Sequence, residues 1–224
     1  MFIEQPSKWL RWLYPQALWR MDATDHSVYL TFDDGPIPES TPHILKILRD
    51  FDIKATFFVV GDNVRKYPEL FQQIVADGHR IGNHTFNHWG ARHSGKQYRD
   101  NIERCQAIIE TMSNDTATAT ASEAQAKATE DKKPLFRPPH GWMRLPFYHM
   151  VNKKYRIVMW DLVTRDYSHL LSPYDIVRNV HRYARNGSII TFHDSLKSID
   201  KLYFALPASL RWLKSQGYSF KVFD

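Results

Sequence analysis

The chain has 224 residues, 43% of them hydrophobic, which favours one domain with a sizeable core over two domains. Its formal charge is +6, but the lysines and arginines are spread along the chain, which favours a solvated basic surface over a nucleic-acid-binding face. The single cysteine, Cys105, excludes an internal disulfide, and no stretch approaches the roughly 20 apolar residues of a membrane helix. Residues 1–21 lack the residue order of a secretory signal, so we expect either a cytoplasmic protein or one whose export segment is missing.

The first residues form a short aromatic segment. Residues 7–15 alternate tryptophan, leucine and tyrosine with basic residues, and such a segment can lie on a membrane surface. Because it is short and contains Pro15, we instead expect it to pack across one end of the fold as a lid. We therefore treat residues 1–26 as an N-terminal packing segment.

A buried strand is predicted next, because residues 27–32 are mostly β-branched, aromatic or aliphatic. It ends on Asp33 and Asp34, which are followed by a Gly-Pro break. Two adjacent carboxylates repel each other unless a cation or an arginine lies close. One aspartate is therefore predicted to bind a metal ion and the other to transfer protons. Taken alone, the stretch is equally compatible with a simple turn.

Two histidines follow the third predicted strand. The intervening segments are predicted as helix 41–51, strand 55–60, helix 67–77 and strand 80–82. His84 and His88 are four residues apart, and on a helical turn both imidazoles would lie on one face, close enough to bind one metal ion. With a carboxylate such as Asp34 they would form a two-histidine, one-carboxylate site that leaves a coordination position open for water.

The middle of the chain contains a polar stretch and a rigid turn. Residues 96–112 predict an amphipathic helix, whereas residues 113–133 are low in apolar residues and predict a flexible surface insertion. Arg137 then precedes two prolines, which fix the backbone, so its side chain can be directed at a carboxylate with little loss of entropy. The alternative is a capped turn with a solvent-exposed arginine.

The last third continues the alternation of strands and helices. We predict strand 156–163, helix 173–184, strand 187–194, helix 202–216 and strand 218–223. This order predicts an α/β fold with parallel strands and helices outside them. The chemically interesting residues, His193 among them, follow the carboxyl ends of strands, which is where the active site of a closed βα barrel lies.

Five short motifs resemble, in order, those of the polysaccharide deacetylase family, the NodB-homology group or carbohydrate esterase family 4. They are residues 31–36, 84–88, 137–141, 166–167 and 191–193. The resemblance implies a distorted (β/α)7-type barrel and one NodB-like domain over residues 1–224. It also implies a hydrolase that removes N- or O-acetyl groups from glycans, such as N-acetylglucosamine polymers or peptidoglycan.

The same resemblance implies a metal site. Carried over residue by residue, the metal ligands are Asp34, His84 and His88. The family uses one divalent ion, and this donor set suits zinc best, although cobalt, nickel or manganese would also fit.

The resemblance also implies the residues that move protons. Asp33 matches the general base and Arg137 the residue that orients it. His193 matches the general acid that protonates the departing amine, and Asp166 matches its carboxylate partner. A histidine beside a carboxylate has its charged form favoured, which suits an acid.

The remaining matches concern the acetyl pocket, and here the chain departs from the family. The backbone N–H of His140 would help to stabilise the oxyanion, and Tyr167 and Thr191 would line the pocket. The family usually has Tyr or Phe at His140, Asp at Val163, Trp at Tyr167 and Leu at Thr191. Two other functions remain open: a non-catalytic glycan-binding module, and a related C–N hydrolase of a small molecule.

Overall fold

The computed structural model describes residues 4–22, 24–90, 93–120 and 133–224. Its centre is a curled half-barrel of parallel strands surrounded by helices, which confirms the predicted fold. The strands are β1 Ser27–Asp33, β2 Thr56–Val59, β3 Arg80–Asn83, β4 Leu135–Phe136, β5 Arg156–Ile157, β6 Leu162–Val163, β7 Ile189–His193 and β8 Ser219–Lys221. Seven of them form the row β5-β4-β3-β2-β1-β7-β6, and β8 pairs with the first half of β1.

The helices pack on the outside of this row. They are α1 Lys8–Leu13, α2 Thr41–Asp50, α3 Gly61–Lys66, α4 Pro68–Ala76, α5 Gly95–Thr120, α6 Leu145–Lys154, α7 Pro173–Tyr183 and α8 Ile199–Ser215, with a 3-10 turn at Pro139–Gly141. Every residue of β1 is buried, as expected for a parallel strand covered on both faces. Gly78 follows α4 at φ 77°, a conformation that glycine adopts without strain. Within the described part of the chain, no helix combines the length and apolarity needed to cross a membrane.

The strand register places the functional candidates at one edge of the sheet. β1 pairs in parallel with β7, so that Thr31 lies opposite Thr191 and Asp33 opposite His193. On its other side β1 pairs with β2, where Asp33 lies opposite Phe58. Because parallel strands all end at the same edge, the residues that follow them are brought together there.

The N-terminal segment packs against the wall of the barrel. Leu18 forms a parallel bridge with Val158, directly after β5, and Arg20 forms an antiparallel bridge with Ser188, directly before β7. Tyr14 and Trp19 are buried in a second apolar cluster that also includes residues of β4, α5 and α6. The Val163 N–H in β6 also donates to the Glu4 carbonyl oxygen at 2.8 Å, so residues 4–20 connect the two ends of the row of strands.

Three predicted elements differ from those observed. The strand predicted over 156–163 is two short strands, because the carbonyl groups of Val158 and Met159 accept hydrogen bonds from the buried Arg137. The helix predicted to end at residue 112 continues to Thr120, so the insertion predicted over 113–133 begins inside α5, and residues 121–132 lie outside the described residues. Helices α1, α3 and α6 were not predicted separately.

Candidate active site

A buried ion pair lies at the end of β1. The Arg137 guanidinium is inaccessible to solvent and donates from Nη1 to Asp33 Oδ1 at 2.7 Å. Its other donors bind Thr31 Oγ1 at 2.8 Å and the carbonyl oxygens of Val158 and Met159 at 3.1 and 2.7 Å. Burial lowers the pKa of Arg137, and the Asp33 carboxylate partly opposes this shift. The arginine is thus held by bonds in several directions, and its charge is directed at one carboxylate oxygen.

Asp34 turns away from this pair toward two histidines. It has φ 83°, and its Oδ1 lies 3.2 Å from His88 Nε2 and 3.6 Å from His84 Nε2. One ligand atom from each of the three residues lies within 4.8 Å of the others. His84 Nδ1 lies 2.8 Å from the Arg137 carbonyl oxygen; an Nδ1–H donor would leave Nε2 free for a metal ion. The Asn63 amide donates to the Asp34 carbonyl oxygen at 2.8 Å, which supports the turn.

The protonation states of Asp34 and His84 suit metal binding. Burial alone would raise the pKa of Asp34, but the hydrogen bond from His88 and the nearby charge of His193 outweigh it and hold that pKa below its usual range. Burial lowers the pKa of His84 to about 4, so its imidazole is neutral at pH 7. An ionised carboxylate and neutral imidazoles are the forms that bind zinc-like ions. The residues present therefore fit one divalent ion.

The prediction that His84 and His88 share a helical turn is wrong. Residues 84–88 form an irregular loop in which Thr85 and His88 have φ values of 65° and 54°. Side chains hold this loop: Asn83 Oδ1 accepts from the Thr85 N–H at 2.9 Å, and Asn101 Oδ1 accepts from Phe86 N–H at 2.9 Å. The two imidazoles nevertheless converge, with ring centroids 5.1 Å apart.

A histidine–carboxylate pair lies at the end of β7. His193 Nδ1 lies 2.7 Å from Asp166 Oδ1, and the His193 backbone N–H donates to Asp166 Oδ2 at 2.8 Å. Burial favours the neutral imidazole, but the Asp166 carboxylate outweighs it and raises the pKa of His193 to about 9. Lys201 Nζ donates to the Asp166 carbonyl oxygen at 3.0 Å and so ties this loop to α8. At neutral pH His193 is therefore protonated.

Asp33, His193 and the three candidate metal ligands border one cleft of about 820 Å³. The Tyr167 ring meets the edge of His193, with centroids 4.7 Å apart, and Thr191 Oγ1 lies 3.1 Å from Thr31 Oγ1. His140 is exposed at φ 61°, and its ring lies 4.9 Å from that of His88. The residues at which this chain departs from the family, which are His140, Val163, Tyr167 and Thr191, therefore line the cleft.

The structure brings all the predicted site residues together, in two layers. Those that line the cleft are Asp33, Asp34, His84, His88, His140, Tyr167, Thr191 and His193. Arg137 and Asp166 lie behind them and reach the cleft through Asp33 and His193.

Asp194 was missed by sequence reasoning, although it follows His193 directly. Its buried carboxylate accepts hydrogen bonds from the hydroxyls of Ser40 and Thr41, and its N–H donates to the Asp33 carbonyl oxygen at 2.7 Å. Burial raises the pKa of Asp194 to about 7, while the two hydroxyl donors oppose that shift. A Cβ at Gly35 would lie 1.9 Å from Asp194 Oδ2, so only glycine fits there. In the sequence, its position directly after His193 was the one feature that indicated a role at the site.

Comparison with known proteins agrees with this geometry. The sequence profile described as polysaccharide deacetylase matches residues 20–153, more than half of the chain and the first three motifs. A peptidoglycan-N-acetylglucosamine deacetylase of Bacillus cereus is 33% identical over 207 residues, covering 90% of this chain and 88% of that protein. A chitooligosaccharide deacetylase of Azorhizobium caulinodans is 32% identical over 179 residues, covering 78% of this chain and 77% of that protein.

A solved deacetylase structure has the same fold. The Bc1960 peptidoglycan N-acetylglucosamine deacetylase, crystallised with a benzamide ligand, superposes with a TM-score of 0.79 at 28% identity, covering 97% of this chain and 94% of that one. The aspartate and two histidines that converge here also agree with the metal dependence of the family. The chain therefore belongs to the polysaccharide deacetylase family, the hydrolases that remove acetyl groups from N-acetylated glycans by cleaving a C–N bond.

Proposed function

We propose that this protein is a zinc-dependent deacetylase of N-acetylglucosamine units in peptidoglycan or chito-oligosaccharides. One observation carries the proposal: a possible metal-binding triad, a carboxylate held by a buried arginine and a protonated histidine all border the same cleft. We also propose that residues 1–224 form a single NodB-like domain, with residues 1–26 as its packing segment.

The metal ligands in this proposal are Asp34, His84 and His88. A divalent ion bound there would supply a Lewis acid, which makes water more acidic and polarises a carbonyl oxygen. Two imidazoles and one carboxylate suit zinc, while cobalt, nickel and manganese remain candidates for the same ligands.

Asp33 is the general base in this proposal. It would take a proton from the attacking water, and its bond from Arg137 keeps the carboxylate aligned. The guanidinium is buried and bound on several sides, so the base has little freedom to turn away from the cleft.

His193 is the general acid. Water adds to the acetyl carbon, the carbon–nitrogen bond breaks, and His193 gives its proton to the departing amine, which leaves acetate and a free amino sugar. Its pKa of about 9 means that the proton is present at neutral pH, and Asp166 stabilises that charged form.

In this proposal His140, Tyr167 and Thr191 bind the acetyl group. The backbone N–H of His140 would donate to the oxygen on which charge builds up. Tyr167 and Thr191 would surround the methyl group. Tyrosine provides an aromatic wall that also carries a hydroxyl.

The decisive experiment measures acetate released by the zinc-loaded protein from chito-oligosaccharides, peptidoglycan fragments and acetylated xylan. We expect acetate and an equal amount of free amine from the first two substrates. Asp33→Asn and His193→Ala should each reduce the rate at least 100-fold. The matched control is Asp50→Asn, which changes an exposed carboxylate in an i,i+4 surface pair.

Each competing function predicts another result. A glycan-binding module would bind the oligosaccharides without releasing acetate. A small-molecule hydrolase would leave all the polymers intact and act on simple amides. Absence of acetate from every glycan would contradict the proposal.

A further inference from the structure

Helix α1 packs on the barrel through its leucines and leaves two tryptophans exposed. Leu10 and Leu13 pack against the second apolar cluster. Trp9 and Trp12 are 59% and 80% exposed, and their spacing of three residues places both rings on one face of the helix. The packing of the N-terminal segment therefore explains the leucines but not the two tryptophans.

Two more large apolar side chains are exposed beside α1. Trp142 lies just before α6 and Leu145 is its first residue, and they are 46% and 43% exposed. Between them, the Met143 backbone forms two hydrogen bonds with the hydroxyl of Tyr14, the residue that follows α1. Scattered exposed apolar residues are ordinary, whereas a group that contains three tryptophans indicates a binding surface. We call this group the α1–α6 patch, and its members are Trp9, Trp12, Trp142 and Leu145.

The two segments that carry the patch are positively charged. Residues 5–21 and 133–160 pack against each other and contain nine lysines and arginines, but neither aspartate nor glutamate. Lys8 and Arg144 are exposed and directly precede Trp9 and Leu145. Acidic side chains that border the two segments are already paired with basic ones: Glu4 with Arg165, Glu103 with Lys154, and Asp161 with Arg11 and Arg185.

Tryptophans among basic residues match the chemistry of an anionic lipid surface. The indole ring combines an apolar face with one N–H donor, and tryptophan is enriched at the boundary between lipid headgroups and acyl chains. Lysine and arginine are attracted to negatively charged headgroups. A second copy of this chain would instead bring the same positive charge to the contact, and repulsion would oppose it. Charge complementarity therefore favours lipid over self-association.

We propose that the α1–α6 patch binds the surface of a membrane that contains anionic lipids, with its tryptophans inserted among the headgroups. The contact would be reversible, because a few side chains bury far less apolar area than a spanning helix. None of the four patch residues lines the catalytic cleft, so this inference does not depend on the proposed function.

The test measures co-sedimentation of the full chain with sucrose-loaded vesicles in the absence of substrate. One set of vesicles contains equal parts of phosphatidylglycerol and phosphatidylcholine, and the other contains phosphatidylcholine alone. We expect binding to the anionic vesicles, weakened by added salt, and little binding to the neutral ones. Trp9→Ala combined with Trp12→Ala should bind about tenfold more weakly. The matched control, Tyr174→Ala, removes an exposed ring on α7 and should bind like the wild type.

A second comparison separates the charge of the patch from the overall charge. Lys8→Gln combined with Arg144→Gln removes two positive charges from the patch region. Lys46→Gln combined with Arg49→Gln removes the same two residue types from the exposed face of α2. We expect binding to weaken about tenfold for the first pair and no more than about twofold for the second. Acetate release from soluble chito-oligosaccharides should be unchanged in every variant.

Three results would overturn the inference and leave the proposed function intact, because acetate release is measured separately. They are a wild type that does not bind anionic vesicles, a tryptophan variant that binds them as the wild type does, and equal losses for the two charge pairs. If size-exclusion chromatography shows a dimer that the tryptophan variant dissociates while vesicle binding is unchanged, the patch is a self-association surface and the inference is wrong.

Discussion

Asp33 and Asp34 are adjacent and chemically identical, yet their carboxylates contact different side chains. Asp33 ends a buried strand and accepts a hydrogen bond from a fully buried guanidinium. Asp34 takes a positive φ, which turns its carboxylate toward His84 and His88. The repulsion between two adjacent carboxylates predicts such a division of partners, but residues alone do not predict which aspartate meets which partner. The family resemblance predicts that assignment, and the contacts of the two side chains in the fold agree with it.

Arg137→Lys tests how strongly Asp33, the proposed general base, depends on its arginine partner. A lysine keeps the positive charge but not the planar fork that reaches Asp33, Thr31 and two carbonyl oxygens. We expect kcat to fall about 100-fold because the base loses its alignment. The free energy of unfolding should fall by about 1–3 kcal/mol because buried acceptors lose their donors.

Deacetylation rates and urea unfolding measure the two effects. The control is Arg49→Lys, since Arg49 forms an exposed pair with Asp77 and should change stability by no more than about 0.5 kcal/mol. A lysine variant with full activity would show that Arg137 does not orient the base.

Asp166→Asn should change the pH profile as well as the rate. The Asp166 carboxylate is what keeps the pKa of His193 at about 9 against the opposing effect of burial. Without that charge the pKa of His193 falls, so the protonated acid is lost at a lower pH. We expect the alkaline limb of kcat/KM to move down by at least about one pH unit, with activity at pH 8 reduced at least about twofold. A limb that stays in place would exclude His193 as the titrating acid.

At the scale of elements, the predictable parts are those determined by local pattern. The apolar periodicity of α2 and the mostly apolar character of β7 identify both from sequence, to within about two residues at each end. The loop at residues 84–88 could not be predicted, because Asn101, located on α5, holds its backbone. Spacing alone favoured a helical turn, whereas a tertiary contact determines the conformation.

The break in the strand predicted over 156–163 is also caused by tertiary contacts. Its residues are apolar enough for one continuous strand, but the carbonyl groups of Val158 and Met159 bind Arg137. Asp161 within the same stretch pairs with Arg11 and Arg185. These partners are distant in sequence, so no local pattern indicates them.

Tyr14 tests whether the N-terminal segment stabilises the fold. Its side chain is fully buried, its hydroxyl donates to the Met143 carbonyl oxygen and accepts from the Met143 N–H, and its ring packs against Tyr148. We expect Tyr14→Ala to lower the free energy of unfolding by about 3–5 kcal/mol through the cavity it leaves. Tyr14→Phe should cost only about 1–2 kcal/mol, because it removes the hydroxyl alone.

Urea unfolding of both variants, with Trp12→Ala as the control, separates these contributions. Trp12 lies on the same segment but is 80% exposed, so its removal should change stability by about 0.5 kcal/mol or less. Equal losses for Tyr14→Ala and Trp12→Ala would mean that the segment does not pack stably on the barrel.

At the scale of the whole molecule, the proposed metal site joins parts of the chain that are far apart in sequence. Asp34 follows β1, the two histidines follow β3, and His84 also contacts the carbonyl oxygen of Arg137 after β4. A bound ion would therefore connect the carboxyl ends of β1 and β3, which lie on either side of β2. An ion that binds only the folded state stabilises that state against unfolding.

Zinc should consequently raise the free energy of unfolding, by about 2.7 kcal/mol at a free concentration one hundred times its Kd. At pH 7 the ion meets an ionised Asp34 and a neutral His84, so binding displaces few protons. Thermal unfolding followed with zinc and then with excess chelator measures the effect, and titrations with cobalt, nickel and manganese rank the metals. Asp34→Asn and His88→Ala should abolish the zinc response, whereas His149→Ala, which removes an exposed imidazole on α6, should leave it unchanged. An equal zinc response in Asp34→Asn and the wild type would show that the ion binds elsewhere, and the assignment of these ligands would be wrong.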